Sequence, residues 1–99
     1  MRWRIYDEAV EMVEQRFRYV PGVFRWRGRC YDVDAVERCW TVSRRRWRGR
    51  LARRFFRLRC AQDVFELYQD LTAGTWHLRR ARLFPVRALA MRRVSPAWR

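Results

Sequence analysis

Lysine is absent from this 99-residue chain, so its 24 basic side chains are all arginines, and against ten acids they leave a formal charge of +14. Every positive group is therefore a planar guanidinium. Its rigid fork of donors suits phosphate and carboxylate, and its flat face stacks on rings. A GC-rich genome would give the same bias with no selection for function. Long apolar runs are also missing. The longest uncharged stretch is roughly eight residues, Leu71–Leu78, well short of the ~18–20 that a membrane-crossing helix needs. Asp7, Glu8, Glu11 and Glu14 stand where the apolar segment of a signal peptide would have to lie. The expectation is a cytoplasmic protein with no membrane partner.

Chemistry-bearing residues are scarce. The three cysteines, Cys30, Cys39 and Cys60, are an odd number with no CxxC pair, which matches neither a disulfide framework nor a zinc module. They read as reduced thiols packed like small hydrophobes. His77 is the only histidine, and on a strand it reads as a half-exposed residue. The two serines, Ser43 and Ser95, lie in no nucleophile elbow. Four isolated glycines form neither a Walker loop nor a dinucleotide fingerprint. With no nucleophile, tuned acid–base pair or metal set in view, the protein is not expected to be an enzyme, and neither cofactor nor metal is expected.

What the chain has instead is apolar surface: 49% hydrophobic residues and 16% aromatic, six of them Trp. That is too much for a solvated basic tail, and the length suits one small domain. Period-two alternation dominates. Phe24, Trp26, Tyr31 and Val33 alternate with Arg25, Asp32 and Asp34 about Gly28, which predicts a hairpin. In Arg54–Cys60, Phe56, Leu58 and Cys60 point one way and Phe55, Arg57 and Arg59 the other. In Val64–Gln69, Phe65 and Leu67 oppose Glu66 and Tyr68. Leu71–Gly74 then supplies a turn before a strand over Thr75–Phe84. A further strand is predicted over Ala9–Tyr19, with Val10 and Met12, then Phe17 and Tyr19, as its alternating apolar residues.

Val33–Trp40 is ambiguous, because Val33, Val36 and Trp40 also share a helical face; a strand over Glu37–Val42 is preferred. The predicted fold is mainly β: a small antiparallel barrel-like or strongly bent sheet of five to six strands. Residues 1–85 form the domain. Residues 86–99 form a C-terminal extension, either a short helix over Val86–Val94 or a partner-binding segment ending in Pro96-Ala97-Trp98-Arg99.

Charge is segregated along the chain. Seven of the ten acids precede Arg38, whereas Arg38–Gln62 holds ten arginines and no acid, and Leu71–Arg99 holds seven more with none. The tetrapeptide Trp-Arg-Gly-Arg occurs twice, at 26–29 and 47–50. Two unrelated turns would account for it, since nothing around it repeats. The N-terminal carboxylates read as partners for nearby arginines. Trp26 and Trp76 read as core. The acid-free middle interleaves cations with flat rings, which is what single-stranded nucleic acid requires of a surface; a duplex needs only the cations.

The candidate nucleic-acid-binding residues are Arg44, Arg45, Arg46, Arg48, Arg50, Arg53 and Arg54 for phosphate, with Trp47 for stacking. About six phosphate contacts on B-DNA would give a salt slope of roughly −5. The alternative is a protein–protein interaction module, docking an acidic partner through its Arg/Trp surface.

The order Tyr6-Asp7-Glu8, Phe24-Arg25-Trp26-Arg27-Gly28-Arg29 with Tyr31 and Val33, Trp40, Phe56-Arg57-Leu58, Val64-Phe65-Glu66-Leu67-Tyr68 and Trp76-His77-Leu78 resembles a small uncharacterised Arg/Trp-rich bacterial family. That family is a domain of unknown function, found in actinobacteria and other GC-rich or thermophilic bacteria. It is sometimes encoded near Y-family damage-tolerance polymerases. The resemblance spans Tyr6 to Phe84. It implies an accessory role in DNA repair, with DNA or RNA and a polymerase-associated protein as partners, and it carries over no site residue.

Overall fold

The computed structural model describes residues 2–46 and 49–84, Arg46 by its backbone. Alternating apolar and polar residues become seven strands: β1 (Arg4–Arg16), β2 (Val20–Trp26), β3 (Arg29–Asp32), β4 (Ala35–Arg46), β5 (Gly49–Cys60), β6 (Asp63–Asp70) and β7 (Trp76–Arg82). They form one antiparallel sheet in the order β3-β2-β1-β7-β6-β5-β4. None of the described residues is helical, so none belongs to a helix long and apolar enough to cross a membrane. The expected extension 86–99 lies outside the described residues.

The sheet curls without closing into a barrel. Arg4–Val10 of β1 pair with β7, whereas Glu11–Arg16 pair with β2. Register shifts between Ile5 and Glu8 and between Met12 and Gln15 bend the strand between its two partners. The second corner is Val33–Asp34, between β3 and β4. The Val33 N–H donates to the Gly22 carbonyl, and the next N–H, of Asp34, donates to the Arg59 carbonyl. Consecutive amides thus extend opposite ends of the sheet, and β2–β3 fold over the inner face of β5, β6 and β7.

Phe24, Trp26 and Val33 thereby meet Phe56, Leu58, Phe65, Leu67, Trp76 and Leu78 in one buried core. Phe65 sits edge-on to Phe24 and Trp26, with ring centroids 5.2 and 6.0 Å apart. Each such side chain contributes roughly 1.5–3 kcal/mol by leaving water. Trp26 and Trp76 are core residues, as the sequence reading expected.

Two local expectations need correction. The sheet has seven strands rather than five to six, because each of the seven alternating segments forms a strand of its own. The first strand begins at Arg4 and ends at Arg16; Phe17 and Arg18 have φ of 52° and 79° and belong to the reversal into β2. The strand preferred over Glu37–Val42 lies inside β4, and Val33–Trp40 looks partly helical because of a bulge: two β4 residues, Val36 to Arg38, span one β5 step, Leu58 to Arg57. The extra residue breaks the period of two.

The repeated tetrapeptide has no common structural role. At its first occurrence Arg27 and Gly28, both at positive φ, are the two turn residues between the paired Trp26 and Arg29. At its second, Gly49 already pairs with Arg46, and Trp47 and Arg48 lie outside the described residues.

Candidate nucleic-acid interface

Neighbouring residues on a strand face opposite sides, so Phe55 turns outward while Phe56 turns to the core. The register carries that outward position across four strands: Trp40 of β4 opposes Phe55, Phe55 opposes Tyr68 of β6, and Tyr68 opposes His77 of β7. Their rings touch in sequence. Trp40 and Phe55 are stacked at 5.2 Å with planes 7° apart, Phe55 and Tyr68 lie at 5.3 Å, and Tyr68 stacks on His77 at 4.8 Å. Trp40 and His77, at the ends of the row, are half-buried; Phe55 and Tyr68 are buried.

Guanidinium groups cover this row. Arg38 lies 4.6 Å over Trp40 and Arg53 4.6 Å over Tyr68. One register step away is a second row, Arg38, Arg57, Glu66 and Arg80. Glu66 has no exposed surface although alternation points it outward, because three arginines close over it. Arg57 Nη2 donates to Oε2 at 3.1 Å, Arg79 Nη1 to Oε1 at 2.7 Å and Arg80 Nε to Oε1 at 2.9 Å. Burial pushes the Glu66 pKa up, but the hydrogen bonds from Arg80, Arg57 and Arg79 outweigh it and hold the carboxyl below its usual range. Trp3 caps the cluster, with Arg57, Arg80 and Arg82 at 5.4, 4.4 and 5.3 Å from its ring. The buried Nε groups of Arg53, Arg57 and Arg82 find no acceptor among the described residues.

The β4–β5 hairpin runs on past this face. The β5–β6 ladder begins at Arg53 and Asp70, and beyond the Leu71 N–H to Ala52 carbonyl bond the ribbon has two strands only. Arg44 pairs with Leu51 on one side of it and Arg45 with Arg50 on the other. Arg44, Arg45 and Arg50 are exposed and make no ion pair, hydrogen bond or ring contact among the described residues.

Several arginines elsewhere are matched to acids, although Arg2, Arg4, Arg18 and Arg29 form no ion pair among the described residues. Glu8 binds Arg27, Glu11 binds Arg25, Glu14 lies beside Arg16 and Glu37 binds Arg59, as the N-terminal carboxylates had suggested. Arg27 and Trp26 donate to Glu8 and lower its pKa. Backbone N–H groups of Ala73 and Thr72 do the same for Asp70, which faces Arg53 across the β5–β6 pair.

The residues singled out from sequence do not form one surface. Arg44 and Arg53 share the outer face with Trp40. Arg45, Arg50 and Arg54 lie on the other, where Arg54 covers Tyr19 at 4.8 Å. The Arg46 backbone pairs with Gly49, and Trp47 and Arg48 lie outside the described residues. Sequence reasoning missed the row Trp40, Phe55, Tyr68 and His77. The signal that could have found it was an aromatic on the polar side of two strands: Phe55 between Arg53 and Arg57, and Tyr68 between Glu66 and Asp70.

Cysteine burial also differs from expectation. Cys60 is buried, but Cys30 and Cys39 are exposed because they lie on the edge strands β3 and β4. Burial, reinforced by Asp34, Asp63 and Asp32, pushes the Cys60 thiol up to about 12. No cluster of three or more His, Cys, Asp or Glu that could hold a metal occurs among the described residues.

A family model described as a domain of unknown function, DUF6504, matches residues 1–94. The match runs beyond Phe84, where the motif resemblance stopped. Neither a curated protein nor a solved structure gives a match.

Proposed function

The chain belongs to the DUF6504 family, whose description assigns no activity, and from its own surface we propose that it is a non-catalytic nucleic-acid-binding domain. The observation that carries this reading is the two-stranded end of the β4–β5 hairpin. There Arg44, Arg45 and Arg50 stand without a partner among the described residues, and Arg45 directly faces Arg50. Like charges directly opposite each other on a sheet destabilise it, and a polyanion would turn that repulsion into binding. A β-ribbon also has the width to enter a major groove. The setting is cytoplasmic, as the acids at positions 7–14 suggest, and the family resemblance makes the role that of an accessory in DNA repair or damage tolerance.

The test is titration of labelled oligonucleotides, single-stranded and duplex, at about 50 and 200 mM salt. Affinity should fall steeply with salt. Replacing Arg44, Arg45 and Arg50 together by Ala should weaken binding and flatten the slope of log K against log salt by about 2 to 3, near 0.7–0.9 for each phosphate no longer neutralised. No binding at the lower salt would refute the reading and leave docking of an acidic protein in its place.

A further inference from the structure

We propose that the outer face of β4, β5, β6 and β7 is a stacking platform for single-stranded nucleic acid, with Trp40 its leading ring. This rests on the nucleic-acid reading above and adds a strand preference and a second site, separate from the hairpin tip. An outward sheet face is normally polar, yet this one carries four contiguous rings at one register level. Three strand spacings separate the ends of the row, roughly 14 Å, comparable to sheet-face modules that stack two or three bases.

The charge around the row fits one kind of occupant. Arg38, Arg53 and Arg57 flank it, and Arg44 lies further along the same face. Glu66 is neutralised by its three arginines, and Asp70 lies at the register step beyond Tyr68 beside Arg53. The buried Nε donors of Arg53 and Arg57 lack an acceptor among the described residues, so no hydrogen bond at that atom ties either guanidinium to the sheet. An acidic protein would meet the cations but would leave the rings without flat partners; a duplex hides its base faces.

Arg38 and Arg53 now lie where bases would go. A guanidinium over a partly exposed ring such as Trp40 is held less strongly than a base stacked on it. Exchange is therefore favourable, and each displaced guanidinium is freed to meet the backbone phosphate of the base that replaced it.

The experiment compares wild type with Trp40→Ala, Trp40→Leu and Trp40→Phe against fluorescein-labelled oligo-dT and the same strand paired with oligo-dA. Trp40→Ala and Trp40→Leu should each weaken oligo-dT binding by about 5- to 100-fold. Trp40→Phe should retain most of it, and duplex binding should be unchanged in all three. Stacking releases no counterions, so the salt slope should also stay as in wild type, unlike that of the arginine variants. Leucine preserves apolar bulk, so the Leu–Phe comparison decides the matter if the alanine variant does not fold. Unchanged oligo-dT affinity, or equal weakening for both forms, would overturn the platform while leaving nucleic-acid binding intact. No binding by wild type to either oligonucleotide at low salt would overturn both.

Discussion

Glu66 shows how one side chain organises its neighbours. Its carboxylate joins strands β5, β6 and β7 on the outer face, and without it Arg57, Arg79 and Arg80 would repel one another. Losing one side of a buried ion pair costs about 3–5 kcal/mol. Here the arginine side chains are 27%, 45% and 29% exposed, so solvent screens part of that. Glu66→Gln should lower the unfolding free energy by about 2–3 kcal/mol in chemical denaturation. The pKa is depressed in the folded state, so this stabilisation is complete above the value of the unfolded carboxyl, about 4.3, and is lost as pH falls through the folded value. Wild-type stability should therefore drop below about pH 4.3 more steeply than that of Glu66→Gln. A second residue-scale prediction concerns the thiols. An aromatic disulfide reagent at neutral pH should modify Cys30 and Cys39 in the native protein, and Cys60 only after denaturation. Rapid native labelling of all three would contradict the packing described for Cys60.

At the scale of elements, the β4–β5 hairpin stands out because most of it stabilises the fold and its end does not. From Ala35 to Val42 it is tied to β6 through β5; at Arg45 and Arg50 it sets two cations face to face. Arg45→Glu would convert that pair into an attractive one. Thermal or chemical unfolding should show a gain of about 0.3–1 kcal/mol, while nucleic-acid affinity falls. A loss of stability on this substitution would mean that Arg45 and Arg50 do not face each other. The same hairpin shows where legibility in the sequence stopped. Gly49 suggested a turn, but it pairs with Arg46 as a strand residue, and nothing local says that pairing continues that far. Alternation along Arg54–Cys60 and Val64–Gln69 was legible because each strand buries one face, and a one-residue slip would expose Phe56 or Phe65. Past Arg53 neither face is fully buried, so no such pattern marks it.

For the whole molecule, the charge of +14 is divided into a matched part and an unmatched part. The N-terminal carboxylates and Glu37 hold arginines of β1, β2, β5 and the β2–β3 turn, and Glu66 holds three more. The unmatched group includes Arg44, Arg45 and Arg50 on the hairpin end and Arg38 and Arg53 beside the aromatic row, with Arg2, Arg4, Arg18 and Arg29 elsewhere. A compact chain with this excess repels itself, and a ligand that binds only the folded state relieves it. Single-stranded oligonucleotide at about 100 times its Kd should raise stability by about 2.7 kcal/mol, seen as an upward shift of the thermal midpoint. A midpoint unmoved by saturating oligonucleotide would argue against the proposed function.

The all-β fold, the core residues Phe24, Trp26, Phe56, Leu58, Phe65 and Leu67, and the pairing of N-terminal acids with arginines were all readable along the chain. Their signals are local: a period of two, a turn residue, a charge within reach. The row Trp40, Phe55, Tyr68 and His77 and the enclosure of Glu66 came only with the tertiary structure. Each depends on cross-strand register among segments up to 37 positions apart. That register carries irregularities between Val36 and Arg38 of β4 and between Leu78 and Arg80 of β7, which no local period announces. A period of two says which side a residue faces, but not which residue of another strand it faces beside.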